Sequence, residues 1–139
     1  MRRPLLAAAA ALLGIAAAPA PAGGPPPVEE TTTPVFRRPL PNVPGKAMIA
    51  AEVLYPAGGA TPPHKHPRSA FVFAYVLEGK IASAVGDEAP RIYGPGESWY
   101  EEPGAVHRVS RNASDSEPAK LLAIFIVDPG EGQLKFPAR

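Results

Sequence analysis

Short apolar runs separated by glycine and proline turns fill most of this 139-residue chain and restrict it to an all-β fold. None of the runs carries the three-to-four-residue apolar spacing of an amphipathic helix. Turn signals recur roughly every eight to twelve residues, which is typical of a β-sandwich or barrel. We predict strands over Ala47 to Tyr55, Phe71 to Leu77, Lys80 to Val85, Arg91 to Tyr93, Ser98 to Glu101, His107 to Arg111 and Leu121 to Val127. The dipeptide Glu78-Gly79 predicts a hairpin between the second and third of these strands.

The three histidines of the chain all fall within two glycine-containing motifs. His64 and His66 follow Gly58 in the first motif, and His107 follows Gly96 in the second. Two histidines one residue apart on an extended segment point their rings to the same side, and folding can bring the third to them. Imidazole is a common ligand of transition metals. We therefore predict that His64, His66 and His107 bind one divalent metal, namely iron, zinc, nickel or copper.

Both motifs resemble those of a known superfamily. Residues 58–66 read GGATPPHKH and lead to YVLEG at residues 75–79, while residues 96–107 read GESWYEEPGAVH. These segments resemble the paired motifs of the cupin superfamily, and the similarity extends from about Ala47 to Val127. The resemblance implies a single-domain double-stranded β-helix, or jelly-roll barrel, that holds one metal in its interior. It leaves the reaction open, because this fold carries many different chemistries.

The first motif departs from the family pattern at one metal ligand. Cupins of this type usually place a glutamate after the histidine pair, but counting forward from His66 reaches Ala70 or Phe71, and counting back from Gly79 reaches Val72. Three neutral imidazoles leave the ion's charge to be balanced by water, hydroxide or an anionic ligand, and they leave coordination positions open. Such a site suits iron, zinc, nickel or copper better than manganese.

Glu101 is the candidate replacement for the missing carboxylate. It lies on the same side of a predicted strand as Trp99, at a position where the resemblance to cupins implies a side chain that faces the barrel. We hypothesise that Glu101 reaches the metal or acts as a general base beside it, and we assign it the catalytic role. Burial would raise its pKa, whereas a nearby cation would lower it. The alternative is a solvated glutamate at a strand end, next to Glu102.

Four further residues are candidates for a substrate pocket. Arg68 could clamp a carboxylate of the substrate, although an arginine beside a loop is more often on the surface. Tyr100 could donate a hydrogen bond to an oxyanion. Phe73 and Trp99 could line the pocket, although aromatic residues in central strands usually belong to the core.

The N-terminus has the composition of a secretory signal peptide. Arg2 and Arg3 precede an apolar run from Leu5 to Ala18 that is short for a membrane span, and small residues follow up to Ala22. We predict cleavage after residue 22, a periplasmic or secreted protein, and no stable membrane insertion thereafter. Removal of residues 1–22 lowers the count of lysine and arginine from 14 to 12 against 13 acidic residues. This balance gives no support for binding to nucleic acid.

The remaining chain divides into a lead-in, a barrel and a tail. Residues 23–45 are rich in proline and are expected to be extended or disordered, although Val35 to Leu40 could add an edge strand or cross to a partner subunit in a homodimer. Residues 46–128 form the predicted barrel, and residues 129–139 form a C-terminal tail. The chain has no cysteine, so stability must come from the core, from oligomerisation or from metal.

Two classes of function remain open on the sequence alone. The first is a metal-dependent enzyme acting on a small anionic or enol-type substrate, by dioxygenase chemistry or as an isomerase or lyase through Lewis-acid polarisation. The second is a non-catalytic cupin that binds a metal or a small metabolite as a sensor or carrier. The under-filled metal site favours the enzyme, and the lack of a second acid–base pair favours the binder.

Overall fold

A computed structural model describes residues 27–138 of the chain, so the predicted signal peptide, residues 1–22, lies outside the described part. These residues form eleven strands and no helix, which leaves no helical segment that could span a membrane within this range. The strands are β1 (Thr31–Pro39), β2 (Ala47–Tyr55), β3 (Ala60–Thr61), β4 (His64–Lys65), β5 (Phe71–Glu78), β6 (Ile81–Val85), β7 (Arg91–Tyr93), β8 (Ser98–Glu101), β9 (Val106–Asn112), β10 (Ala119–Val127) and β11 (Phe136–Pro137).

Two antiparallel sheets face each other across the core. The five-stranded sheet has the order β1-β2-β10-β5-β8, and the six-stranded sheet has the order β11-β4-β9-β6-β7, with β3 also paired to β9. The buried apolar side chains of both sheets meet in one cluster that includes Ile49, Val76, Ile81 and Val127. The predicted all-β, single-domain double-stranded β-helix is confirmed.

The turn at Glu78-Gly79 connects the two sheets, so the predicted hairpin between β5 and β6 is wrong. Strand β5 pairs with β10 and β8, whereas β6 pairs with β7 and β9. Gly79 has a φ of +70°, and a Cβ there would lie 2.6 Å from the carbonyl oxygen of Pro118. The chain therefore needs glycine here, both for the backbone conformation and for the close approach of the next loop.

Both ends of the described chain add strands to the sheets. Strand β1 lies in the lead-in predicted over residues 23–45 and pairs with β2 from Thr31 to Pro39, an edge strand longer than the Val35 to Leu40 segment considered from sequence. In the C-terminal tail, β11 pairs with β4, which carries His64. The C-terminal segment thus lies beside β4, and the N-terminal segment forms an edge of the other sheet.

A row of small residues opens space inside the barrel. On the inner face of the five-stranded sheet, Ala123 on β10 pairs with Ala51 on β2 and with Ala74 on β5, and Ala74 pairs with Trp99 on β8. The rows on either side of it carry larger residues, such as Phe125 and Leu121. Because the alanines leave the middle of the inner face unfilled, a cavity forms there.

One buried amide joins the loops at one end of the barrel. The Asn112 side chain donates hydrogen bonds to the carbonyl oxygens of Pro56 (3.0 Å) and Glu117 (2.6 Å). Its own oxygen accepts a hydrogen bond from the backbone N–H of Ser114 at 2.9 Å. Only 1% of Asn112 is exposed, so water cannot replace these partners.

We expect Asn112→Ala to lower the free energy of unfolding by about 2–3 kcal/mol, because it leaves buried carbonyl groups without donors. Denaturant unfolding followed by circular dichroism measures this change. Asn42→Ala is the matched control, because Asn42 is exposed and should be nearly neutral. Equal losses in the two variants would contradict this account of Asn112.

Candidate metal centre

The three histidines converge at the centre of the barrel, on the six-stranded sheet. His64 on β4 and His107 on β9 are direct partners in the strand register, and their ring centroids lie 4.9 Å apart. His66 follows β4, with its ring centroid 5.0 Å from that of His64. One ring nitrogen from each histidine lies within 4.8 Å of the other two. This spacing allows all three residues to bind one metal ion.

Backbone carbonyls orient two of the imidazoles. His64 Nδ1 lies 3.0 Å from the carbonyl oxygen of Pro62, and His66 Nδ1 lies 2.6 Å from that of Leu134. A carbonyl oxygen can only accept a hydrogen bond, so each Nδ1 carries the proton and donates it. In the neutral form of each ring the Nε2 atom therefore keeps a free lone pair, as metal binding requires.

Glu101 brings a carboxylate to the same point from the opposite sheet. It lies on β8 in register with Val72 on β5, one of the positions at which the family's glutamate was sought. Its Oε1 atom is 3.1 Å from His107 Nδ1 and 3.4 Å from Trp99 Nε1, and its Oε2 atom is 3.3 Å from His66 Nε2. The carboxylate thus comes from the neighbouring strand, and it is buried, with 3% exposed.

The electrostatics of the cluster are coupled. Burial alone would raise the pKa of Glu101, but hydrogen bonds and charge from His107 and His66 hold that pKa well below its ordinary value. Burial lowers the pKa of His64 to about 4, and the neighbouring imidazoles His107 and His66 add to this effect. For His66, burial opposes protonation, but the nearby carboxylate of Glu101 and the carbonyl of Leu134 outweigh burial and raise its pKa. The cluster therefore combines an ionised carboxylate with a His64 that stays neutral above its depressed pKa.

The donor set fits a divalent transition metal. Glu101 Oε2 is buried and has no well-aligned hydrogen-bond partner among the described residues, although His66 Nε2 is close to it. A buried carboxylate oxygen without a partner is costly, and coordination to a cation would satisfy it. Imidazole nitrogens with one anionic oxygen suit iron, zinc, nickel or copper. His64, His66, His107 and Glu101 are thus the residues that could hold the ion.

A cavity of about 70 Å³ lies beside the cluster. Its walls are mainly apolar and come from both sheets and both terminal segments. They include Val53, Val72, Ala74, Trp99, Leu121, Ala123, Phe125 and Leu134. A water molecule needs about 10–15 Å³ of such space, so there is room for only a few waters or a ligand of a few heavy atoms.

Hydroxyl groups and one ion pair form the polar part of the wall. The Tyr55 hydroxyl lies 2.6 Å from Ser110 Oγ and 3.2 Å from Thr61 Oγ1, and burial raises its pKa to about 12, so it stays protonated. Glu30 accepts a hydrogen bond from the Thr61 hydroxyl and pairs with Lys135 Nζ at 2.6 Å. Lys135 places a positive charge on the cavity wall, next to the carboxylate that neutralises it.

A second cavity of about 180 Å³ lies next to the first and shares His64 and Lys135 with it. Its lining also includes Pro62, Pro63 and Pro137. The two cavities therefore adjoin at His64 and Lys135.

Of the four pocket candidates taken from the sequence, only Trp99 lies at the cavity. Phe73 and Tyr100 point away from it, on the outer face of the five-stranded sheet, with 37% and 59% of each residue exposed. Arg68 is exposed and is not part of the cavity lining. Phe73 faces outward because side chains alternate along a strand, and the inward positions next to it are taken by Val72 and Ala74.

Sequence reasoning missed several residues that shape the cluster. Ser83 Oγ lies 2.8 Å from His107 Nε2, and the carbonyl of Leu134 holds His66 from the C-terminal tail. Ser83 had a local signal, since it is a polar residue inside the otherwise apolar strand β6. Leu134 had no such signal, because every residue has a backbone carbonyl and the sequence does not show which one contacts a histidine.

Comparison with known proteins identifies related sequences and structures. The sequence profile of the family described as "Cupin domain" matches residues 51–125. No curated protein matches the sequence. The crystal structure of TT1209 from Thermus thermophilus is 28% identical with a TM-score of 0.59, and the match covers 73% of this chain and 86% of that one.

Two further solved structures are similar over less of their own length. The DMSP lyase DddQ from Ruegeria pomeroyi DSS-3 is 25% identical with a TM-score of 0.56, and the match covers 66% of this chain and 43% of the lyase. An oxalate oxidase in complex with the substrate analogue glycolate is 23% identical with a TM-score of 0.55, and the match covers 73% of this chain and 53% of the oxidase. At 23% identity, the oxidase supports the fold alone.

We expect Lys135→Met to lower the free energy of unfolding at neutral pH by roughly 1 kcal/mol, because Glu30 then loses its cation. Burial raises the pKa of Glu30, yet the hydrogen bonds from Lys135 and Thr61 outweigh burial and hold it below the ordinary 4.5. The Lys135–Glu30 pair therefore contributes its full stability above pH 4.5, the ordinary pKa of Glu30 in the unfolded chain. This contribution is lost as the pH falls through the lower pKa that Glu30 has in the folded protein.

The difference between wild type and Lys135→Met should accordingly shrink as the pH is lowered from 7 towards about 3. Denaturant unfolding at a series of pH values measures it. Lys46→Met is the control, because Lys46 and Asp128 form an exposed pair. A difference that stays constant or grows on acidification would contradict the role given to Glu30.

Proposed function

The chain belongs to the cupin family, and from that premise we propose that it is a metal-dependent enzyme acting on a small anionic or enol-type substrate. Its metal would be a divalent ion of iron, zinc, nickel or copper, bound inside the barrel. The observation that carries this proposal is the convergence of three imidazoles and one buried carboxylate beside an apolar cavity. An arrangement of this kind is costly to bury without a cation that uses it.

Each residue of the cluster has a distinct part in the proposal. His64, His66 and His107 would hold the ion, and Glu101 would neutralise part of its charge. When bound, the metal would supply Lewis-acid polarisation of an oxygen atom of the substrate or, if it is iron, dioxygen activation. The carbonyls of Pro62 and Leu134 hold two of the imidazoles in the tautomer that ligation needs.

Glu101 is better suited to binding charge than to accepting a proton. The imidazoles keep its pKa well below the ordinary range, and a bound cation would lower it further. A carboxylate with so low a pKa is a weak base near neutral pH. Glu101 is therefore assigned first to the metal and to the orientation of His66 and His107, and a direct proton transfer is the lesser role.

The cavity limits the substrate by size and polarity. About 70 Å³ of space accommodates a molecule of a few heavy atoms, and the apolar walls exclude bulk water from it. The protonated Tyr55 hydroxyl and the Lys135 ammonium group could donate to an anionic oxygen. The 25% identity to the DMSP lyase DddQ supports including lyase reactions among those to be tested.

The second candidate function is a metal- or metabolite-binding cupin without catalysis. One observation favours it: both oxygens of Glu101 face imidazole nitrogens, and no other carboxylate of the described residues lines the same cavity apart from Glu30, which Lys135 neutralises. A binder would show saturable stabilisation by its ligand without turnover. Measuring both properties on the same preparation separates the two functions.

We expect the protein, expressed in the presence of mixed divalent metals, to contain one equivalent of metal by elemental analysis. The His64→Ala/His107→Ala double variant should lose it while remaining folded. Glu101→Gln keeps the shape of the side chain but removes its charge, and it should weaken metal binding about 10- to 100-fold.

Lys65→Ala is the matched control for the metal measurements, because Lys65 lies between the two histidines of the first motif. It should bind metal like the wild type. Equal metal content and equal melting temperature in all four proteins would refute the metal centre.

We expect Ala123→Leu to abolish binding of small ligands while leaving the metal in place, because the longer side chain fills the cavity. Ala123→Ser keeps the small volume and is the control. The measurements are metal content, melting temperature and the melting shift caused by a panel of small carboxylates. A ligand that stabilises Ala123→Leu as strongly as the wild type would show that it binds elsewhere.

A further inference from the structure

The imidazole of His107 has a side-chain neighbour at each of its two ring nitrogens. Ser83 Oγ lies 2.8 Å from Nε2, and Glu101 Oε1 lies 3.1 Å from Nδ1. The rings of His64 and His66 differ, because in each of them Nδ1 donates to a backbone carbonyl and Nε2 is left for the metal. His107 is therefore oriented differently from the other two histidines of the cluster.

The Nε2 atom of His107 points into the barrel wall. Its neighbour Ser83 lies on β6, is only 3% exposed and is not part of the lining of the cavity beside the cluster. Glu101, on the Nδ1 side of the ring, lines that cavity together with the three histidines. Nδ1 is thus the nitrogen of His107 that faces the other candidate ligands. Ser83 can influence the site only through His107.

A bulge in β9 produces this orientation. The register of β9 against β6 shifts by one residue at Arg108. His107 and Ser110 are three residues apart, so a regular strand would point them to opposite faces, but the bulge lets both be buried. The exposed guanidinium of Arg108 donates to the carbonyl oxygens of Gly86 and Glu88, which anchors the bulge to the turn after β6.

The distances around Glu101 suit a metal bound to Nδ1 of His107. Bonds from a metal to nitrogen or oxygen are about 2.0–2.2 Å long, so neighbouring ligands of one ion lie about 2.8–3.6 Å apart. Glu101 Oε1 is 3.1 Å from His107 Nδ1, and Glu101 Oε2 is 3.3 Å from His66 Nε2. Both separations fall in this range, and both belong to the same carboxylate.

We propose that Ser83 is a positioning residue of the metal centre, which holds the ring of His107 so that Nδ1, and not Nε2, binds the ion. This inference rests on the proposed function and extends it, because it assigns a ligand atom to each histidine: Nε2 of His64 and His66, and Nδ1 of His107. With Nδ1 on the metal, the neutral ring carries its proton on Nε2 and donates it to the Ser83 hydroxyl.

A serine suits this position in both states of the site. Its hydroxyl accepts a hydrogen bond from Nε2–H when Nδ1 binds the metal. In the metal-free protein the same hydroxyl can donate to Nε2 while Nδ1–H faces the carboxylate of Glu101. An alanine at residue 83 could do neither, and the ring would lose the contact that fixes its orientation.

Nuclear magnetic resonance of the purified protein tests the ligand assignment. The chain has three histidines, so labelling histidine with the heavy nitrogen isotope gives signals from three rings. A spin-active cadmium isotope, bound in place of zinc, couples to the nitrogen that it contacts, and the ring protons distinguish Nδ1 from Nε2. We expect two rings bound through Nε2 and one through Nδ1. Three rings bound through Nε2 would overturn the proposal.

Zinc affinity, measured by competition with a chromogenic chelator, tests the role of Ser83. We expect Ser83→Ala to weaken zinc binding about 10- to 100-fold, and its cadmium spectrum should lose the ring bound through Nδ1. Ser83→Thr keeps a hydroxyl and should bind like the wild type. Ser98→Ala is the matched control, because Ser98 is exposed on β8. Circular dichroism confirms that each variant is folded.

The outcomes separate this inference from the proposed function. A wild type that binds neither zinc nor cadmium would overturn the metal centre together with the role of Ser83. Metal binding that Ser83→Ala leaves unchanged would overturn the role of Ser83 alone. If Ser83→Ala does not fold, the cadmium spectrum of the wild type still decides, because that measurement needs no variant.

Discussion

The site depends on the pairing of Glu101 with histidines of the opposite sheet. Glu101 lies on the five-stranded sheet, whereas His107 lies on β9 of the six-stranded sheet and His66 directly follows β4 of the same sheet. A carboxylate inside an apolar barrel is strongly unfavourable unless cationic or hydrogen-bonding groups reach it. The imidazoles within 3.1 and 3.3 Å supply such groups and so tie the two sheets together at the barrel centre. A metal ion would strengthen the same connection between the sheets.

The terminal segments complete this centre, although they lie outside the family match over residues 51–125. Strand β11 extends the sheet beside β4, and the carbonyl of Leu134 fixes His66. Lys135 from the C-terminal segment meets Glu30 from the N-terminal segment at the boundary between the two cavities. The family motifs thus provide the candidate ligands, while the segments outside them determine how these residues are held and how the cavity is closed.

One distribution of side-chain size accounts for both the cavity and the exposed aromatic residues on the outer side of the five-stranded sheet. The inner row of alanines leaves space beside the histidines, and the aromatic residues displaced from the core by strand alternation stand on the opposite side of the same strands. A barrel with its large residues inward would have neither the cavity nor the apolar outer surface. The cavity inside the barrel and the apolar surface outside it are therefore linked through strands β5 and β8.

The sequence by itself determined strands β2 and β5 to β10, most of their boundaries and the identity of the clustered histidines, because these depend on local alternation, turn residues and motif spacing. The resemblance to cupins, together with the alternation with Trp99, predicted the inward direction of Glu101, and the structure has it buried there. Only the tertiary structure decided that Phe73 and Tyr100 face outward, that β5 and β6 belong to different sheets, and that Ser83 and Leu134 contact the imidazoles. Those facts depend on which strands become neighbours across the barrel, and contacts between residues distant in sequence leave no local pattern.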